Sequence, residues 1–441
     1  MAAKDTVHVL TPDDLAEGVS AAASTGPDAR SGSFVDNMKL PIHRWFRYSA
    51  GFSAQWAEEV IRASGARSVL DPFAGSGSTL LAADALQVRS VGLEAHPFVA
   101  RIGAAKLCWQ ADVAVLEAAA ESLLRKARRR TSGAARARAA PELMARCYEP
   151  EALAELCSLR GTWLAMADDL PPPVRELLFL ALIAILRECS FVGTAQWQYV
   201  LPNKRKKRVV APFEAFRARI AMFTADMASF QGQAAATHAT LLRGDARGIH
   251  DHVAEKFDLL LTSPPYPNNY DYADATRLEM TFWGDVTSWG DLHDAVRKYL
   301  VRSSSQHAAK DKLELDDLLA APMLAPIRAD LTTVCNELGR IRETKGGKKT
   351  YHTMVAAYFK DMAEVLQSAR RVMRPGGTMC FVIGDSAPYG VHVPADAWFG
   401  RLADSAGFKG ARFEKIRDRN TKWKNRKHTV PLNEGRLWIA C

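Results

Sequence analysis

The chain has 441 residues, 48% hydrophobic and 24% charged, enough to bury a large core divided into two or three domains. Its longest apolar run, residues 177–186, is too short to span a bilayer, and no basic-then-apolar signal pattern opens the sequence, so a cytoplasmic protein without a membrane partner is expected. A formal charge of +9 fits a polyanionic partner, while seven scattered cysteines with no C-x-x-C pair argue against a zinc ribbon or a disulfide framework and leave no metal site expected.

Residues 1–33 are rich in Ala, Ser, Gly and Asp without clear periodicity and read as a flexible leader. Residues 38–53 are aromatic-rich and lead into a helix ending near residue 63. Ser53 fits its N-cap, and the exposed N–H groups of that helix would suit a carboxylate. Residues 67–79 read as strand, glycine loop and helix start. Asp71 ends the strand, Gly75 and Gly77 let the backbone approach a ligand closely, and Ser78 or Thr79 starts a helix over 80–86. No lysine follows the glycines, which excludes a nucleotide-triphosphate loop, and Leu80 stands where a dinucleotide loop needs its third glycine. A second strand, 89–94, ends in Glu94, which either accepts both hydroxyls of a ribose or caps the helix starting at Pro97.

The helical pattern over 97–130 ends in a basic cluster that includes Arg128 and Arg129. Residues 131–235 read as a mostly helical insertion, with helices near 150–167, 174–188 and 213–227. Within it, Gln196-Trp197-Gln198-Tyr199 precedes a run containing Lys204, Arg205 and Lys206. Gln pairs with adenine and Arg or Lys with guanine, so this is either a nucleic-acid recognition element or a helical lid with a polar loop. Residues 240–246 read as a third strand, ending at Gly244-Asp245.

The apolar strand 257–261 then breaks into Ser263-Pro264-Pro265-Tyr266. Paired prolines cannot donate to a ladder, so the chain leaves the sheet in a stiff turn. It presents carbonyls without competing N–H groups at the strand's carboxyl end, where open α/β sheets bind ligands. The following 267–272 either line a base pocket or shape an Asx turn. A second insertion spans about 285–350, with a polar stretch at 343–350 expected to be a mobile loop over nucleic acid. An amphipathic helix over 352–373, a turn at Pro375-Gly376-Gly377 and a buried strand over 378–383 come next. A helix at 395–404 and strands at 411–416 and 436–440 complete the pattern. Between the last two strands, a basic segment with Trp423 and Lys424 is either a DNA-facing hairpin loop or a solvated loop.

Asp71-Pro72-Phe73-Ala74-Gly75-Ser76-Gly77-Ser78-Thr79 followed by Ser263-Pro264-Pro265-Tyr266 resembles the amino-methyltransferases, which methylate exocyclic nitrogens of DNA bases using S-adenosylmethionine. In that family the glycine loop is motif I and the [D/N/S]-P-P-[Y/F/W] turn is motif IV. The resemblance implies an α/β fold: a Rossmann-like methyltransferase sheet with helices on both faces, plus the mostly helical insertion. It implies that Ser53, Asp71, Phe73, Gly75, Gly77 and Glu94 bind the cofactor, that the segment before motif I holds its methionine end, and that Asp245 contacts its adenine. Ser263, Pro264, Pro265 and Tyr266 would be catalytic. The serine form of the turn is seen most often in N4-cytosine enzymes, with N6-adenine the close variant. Duplex DNA with a flipped target base is the implied partner, held by Arg128, Arg129, Lys204, Arg205, Lys206, Trp423 and Lys424, and a cognate restriction or defence system is a candidate companion. Residues 34–130 and 236–441 would form the methyltransferase domain and 131–235 the target-recognition region. This insertion precedes the third strand rather than following it, unlike the simplest family layouts. An RNA methyltransferase and a catalytically silent nucleic-acid-binding protein are the other readings.

Overall fold

The structure, a computed structural model, describes residues 34–132, 141–194, 199–234, 236–268, 271–308, 313–346, 349–419 and 431–441. The leader, Gln196, Trp197, Gln198, Asn269, Tyr270, Trp423 and Lys424 fall outside these.

The described strands are β1 (Ser68–Asp71), β2 (Arg89–Glu94), β3 (Val192–Thr194), β4 (Val200–Arg205), β5 (Ala239–Arg243), β6 (Phe257–Thr262), β7 (Met373–Gly384), β8 (Lys409–Arg419) and β9 (Leu432–Ala440). Seven make one sheet in the order β5-β2-β1-β6-β7-β9-β8, and β3 and β4 form a separate antiparallel ribbon. Strands β5, β2, β1, β6 and β7 run parallel, whereas β9 is antiparallel to both its neighbours. The chain moves outward from β1 through β2 to β5, then resumes on the other side of β1 at β6. The β1–β6 boundary is therefore the topological switch point, beyond whose strand ends α/β sheets bind ligands.

The central strands are apolar because both sheet faces are covered. Side chains alternate: Val69, Leu259, Leu261, Cys380 and Val382 pack toward helix Ala54–Ser64 through Trp56, Ala57, Val60 and Ile61. Leu70, Leu260, Phe381 and Ile383 face the opposite layer, built from helices Tyr351–Val372 and Ala395–Ser405. A third apolar cluster joins helices Val113–Ser132, Pro150–Met166, Pro172–Ala184 and Pro212–Gln231 to Ile42, Trp45, Phe46, Phe98 and Ile102. The inserted helices thus share a core with the segment that precedes β1.

Several boundaries differ from the sequence expectation for physical reasons. The helix expected over 174–188 breaks at Ile185 into Pro172–Ala184 and Leu186–Cys189. The β3–β4 ribbon had no sequence signal, its strands being short and β4 carrying basic residues. Strands β8 and β9 are longer than expected because they pair with each other, as in Arg412↔Trp438 and Arg417↔Glu434, which satisfies backbone groups in polar sequence. The Pro-Gly-Gly turn lies inside β7 as an irregularity: pairing with β6 shifts register between Phe257 and Leu259, and Gly376 takes φ 79°. Glu343 and Thr344, expected in a mobile loop, end helix Arg328–Thr344. Among the described residues no helix is long and apolar enough to cross a membrane.

Candidate active site

One buried carboxylate ties the glycine loop to the proline turn. Asp71, only 2% exposed, accepts hydrogen bonds from Thr79 Oγ1 (2.6 Å), Thr262 Oγ1 (2.6 Å) and the Phe73 amide (3.1 Å). Thr79 lies in helix Ser78–Ala85 and Thr262 ends β6, so Asp71 fixes both to the end of β1. Burial pushes its carboxyl up to about 6, against the pull of these three hydrogen bonds. Its oxygens are engaged internally, yet the residue still lines the cleft described below.

Between β1 and helix Ser78–Ala85 the chain turns through Gly75 (φ 55°) and Gly77 (φ 87°), left-handed conformations that glycine adopts without strain. A Cβ on Gly75 would lie 3.1 Å from Tyr48 Cε1, so the loop packs directly on the segment preceding β1. The Gly75 amide donates to Glu94 (2.8 Å), and the His96 amide donates to the same carboxylate (2.7 Å). Burial pushes the Glu94 carboxyl up to about 7. The N-cap of helix Pro97–Lys106 is His96, so Glu94 braces the loop rather than capping that helix.

The segment before β1 folds as two short turns, Asp36–Lys39 and His43–Trp45, ahead of helix Ala54–Ser64. Ser53 caps this helix, its Oγ accepting from Trp56 N at 3.3 Å. Asn37 adds a second cap that sequence reasoning missed: its Oδ1 accepts from Ala54 N (2.8 Å) and its Nδ2 donates to Phe52 O (2.9 Å). Asp226, from inserted helix Pro212–Gln231, accepts from the Ile42 amide (3.2 Å), Arg44 Nε (2.9 Å) and Trp45 Nε1 (3.0 Å). It holds Ile42 at φ 64°, a conformation β-branched residues rarely adopt.

These pieces line an open cleft at the switch point, where α/β sheets bind small molecules. Phe34, Tyr48, Asp71, Phe73, Ser78 and Ser263 contribute to its lining, so glycine loop and proline turn share one cavity. Lys106 also lines it and is 2% exposed. A sequence signal for Lys106 existed: Val99, Ile102, Gly103 and Lys106 fall on one buried helical stripe, and a lysine there is out of place.

At the turn itself, Ser263 Oγ donates to Val382 O (3.3 Å) and Tyr358 OH donates to Pro265 O (2.9 Å). Among the described residues no hydrogen bond ends on the Pro264 carbonyl. The Arg419 guanidinium lies 4.7 Å from the centre of the Tyr266 ring, and burial pushes the Tyr266 hydroxyl well above its usual range. Farther along, Asp271 caps helix Tyr272–Ala275 in an Asx turn, with Oδ1 accepting from Ala273 N (3.1 Å). The Asp271 amide donates to Tyr199 OH (2.8 Å), which ties the start of the inserted β4 to the segment that follows the proline turn.

Asp245 follows β5, next to Glu94 in space, since Gly244 N donates to Glu94 O (3.2 Å). Its carboxylate is forked by Arg247 (2.5 Å), which also reaches Asp361 (3.3 Å), a pairing the sequence reading did not anticipate. Arg128, Arg129, Lys204 and Arg205 are exposed. Lys206 differs: it is partly buried and donates to the Arg187 carbonyl, so its ammonium turns inward.

A mostly parallel sheet closed by an antiparallel β9, with a glycine loop after its first strand and a cleft at its switch point, is a Rossmann-like methyltransferase fold. Residues 28–105 match the model of the N6/N4 methyltransferase family, described as DNA methylase. The chain is 23% identical over 437 residues to Type II methyltransferase M.BsoBI of Geobacillus stearothermophilus, covering 88% of this chain and 82% of that one. It is 24% identical over 413 residues to Type II methyltransferase M.AvaI of Nostoc sp. and of Anabaena variabilis, covering 85% of this chain and 81% of theirs. These matches support the amino-methyltransferase family and a DNA methyltransferase activity for this chain. DNA methyltransferases of this family use S-adenosylmethionine as methyl donor, and the cleft lining fits it: aromatic Phe34, Tyr48 and Phe73 beside polar Asp71, Ser76 and Ser78.

Proposed function

We propose that the chain methylates the exocyclic N4 of cytosine in duplex DNA. The carrying observation is Ser263-Pro264-Pro265-Tyr266 at the end of β6, with Ser263 on the wall of the cleft that the glycine loop also lines. Bound S-adenosylmethionine supplies an electrophilic methyl, so the protein's work is to place the acceptor nitrogen in line with it. Ser263 Oγ and the Pro264 carbonyl accept hydrogen bonds from the amino group. This draws the nitrogen toward tetrahedral geometry and offsets the positive charge that develops on it. Tyr266 stacks on the base, its ring backed by Arg419. A base in duplex DNA reaches the turn only when flipped out, at a cost of a few kcal/mol.

In this reading the cofactor is bound by Phe73 and the turn at Gly75 and Gly77, by Glu94 at its ribose and Asp245 at its adenine, with Asp71 and the Ser53-capped helix shaping the cleft. Residues 34–130 and 236–441 form the methyltransferase domain. Residues 131–235 read the target, supported by the Tyr199–Asp271 contact and by the exposed Arg128, Arg129, Lys204 and Arg205. The printed names of the relatives support a place in restriction-modification. Methyl-labelled cofactor incubated with duplex DNA or with total RNA tests the reading. Label is expected in DNA and lost on Tyr266→Ala, and label confined to RNA would contradict it.

A further inference from the structure

Lys106 ends helix Pro97–Lys106 with its ammonium inside the protein. Its Nζ donates to His43 O (3.0 Å) and Phe46 O (3.5 Å), both main-chain carbonyls of the segment preceding β1. An ammonium has three donors, so one is left for a ligand. Among the described residues no carboxylate forms an ion pair with this cation, although Asp71 lines the same cleft, and burial pushes it down to about 7. Neighbouring His43 is held neutral, pushed down to about 3 by burial and then by Lys106 itself. A buried charge without a counter-ion is costly and calls for an explanation.

The cleft supplies one. Among the described residues lining it, Lys106 is the one lysine or arginine, and Ser76 and Ser78 bring hydroxyls to the same wall. Ser78 also opens helix Ser78–Ala85, whose N-terminal amides favour an anion. A single cation among aromatic walls suits a monoanion such as a carboxylate better than a phosphate, which would call for more charge. S-adenosylmethionine carries one carboxylate, on its methionine portion.

We infer that the Lys106 ammonium, presented by its bonds to the His43 and Phe46 carbonyls, receives the carboxylate of S-adenosylmethionine. The inference rests on the cofactor assignment but not on which base is methylated, so it is tested by binding without DNA. Calorimetric titrations would compare S-adenosylmethionine with its decarboxylated analogue, which keeps the adenosine, the sulfonium and the amine. The wild-type chain is expected to prefer the carboxylate-bearing ligand by roughly thirtyfold or more, the scale of a desolvated charge pair. Lys106→Met should show no preference between the two ligands, even as loss of the bonds to His43 O and Phe46 O weakens binding of both. Lys106→Gln keeps a donor for the carbonyls without the charge; it should lose the preference likewise and serves if the methionine variant does not fold.

A wild-type chain that binds both ligands equally, or a folded variant that retains the preference, overturns the inference. So does an equal loss of affinity for both ligands in the variants, which would mark Lys106 as purely structural. Failure of the cytosine reading would appear instead in the methylated product, with these affinities unmoved.

Discussion

Asp71 and Glu94 end adjacent strands, and each carboxylate is surrounded by the groups it organises. Asp71 holds Thr79 and Thr262, and Glu94 holds the amides of Gly75 and His96. Burial outweighs these hydrogen bonds and raises both groups, from 3.8 to about 6 and from 4.5 to about 7. Between those limits the folded chain keeps protons that the unfolded chain has released. The stability these groups contribute is therefore fully present below the lower values and lost as pH rises through the upper ones. In the cofactor-free protein, Tm should fall between pH 4.5 and 7, and Glu94→Gln should flatten that fall. Thermal unfolding followed by circular dichroism reads this, and an unchanged slope in the variant would contradict the assignment. Ser263 differs from both acids, since its hydroxyl donates to Val382 and keeps lone pairs for an incoming amino group.

The segment 34–52 is the element on which the cleft most depends, and it has little regular structure of its own. Three contacts distant in sequence hold it: Asn37 against the start of helix Ala54–Ser64, Lys106 beneath His43 and Phe46, and Asp226 on Ile42, Arg44 and Trp45. Asp226→Ala would leave a partly buried guanidinium, an indole N–H and an amide without their acceptor. The expected loss is about 2 kcal/mol or more, read by urea denaturation. Because this segment walls the cleft, affinity for S-adenosylmethionine should fall as well, even though Asp226 is not among the residues lining it. None of these contacts was visible in sequence, because an aperiodic segment gives no register from which to infer long-range partners. The sheet was legible for the opposite reason. Apolar runs at β1, β2, β6 and β7, each ended by Asp, Glu, Ser-Pro-Pro or Gly-Asp, announce buried parallel strands and their carboxyl ends together. The β3–β4 ribbon and the full lengths of β8 and β9 were not legible, since polar strands declare themselves only through their pairing.

Over the whole molecule, the inserted helices share an apolar core with the segment that walls the cleft and place Tyr199 against Asp271, five residues beyond Tyr266. In the proposed reading, target recognition and cofactor binding are carried by one packed unit, and the exposed arginines and lysines of helix Val113–Ser132 and β4 add phosphate contacts. The net charge of +9 suits that role without defining it; the proposed chemistry lies where the glycine loop and the proline turn line one cleft. The measurement that bears on this most directly is mass spectrometry of nucleosides from duplex DNA treated with the purified chain and S-adenosylmethionine. The account predicts N4-methylcytosine, abolished by Pro265→Ala. N6-methyladenine would contradict the base assignment drawn from Ser263, and cofactor binding without any methylated nucleoside would contradict the catalytic role given to the turn.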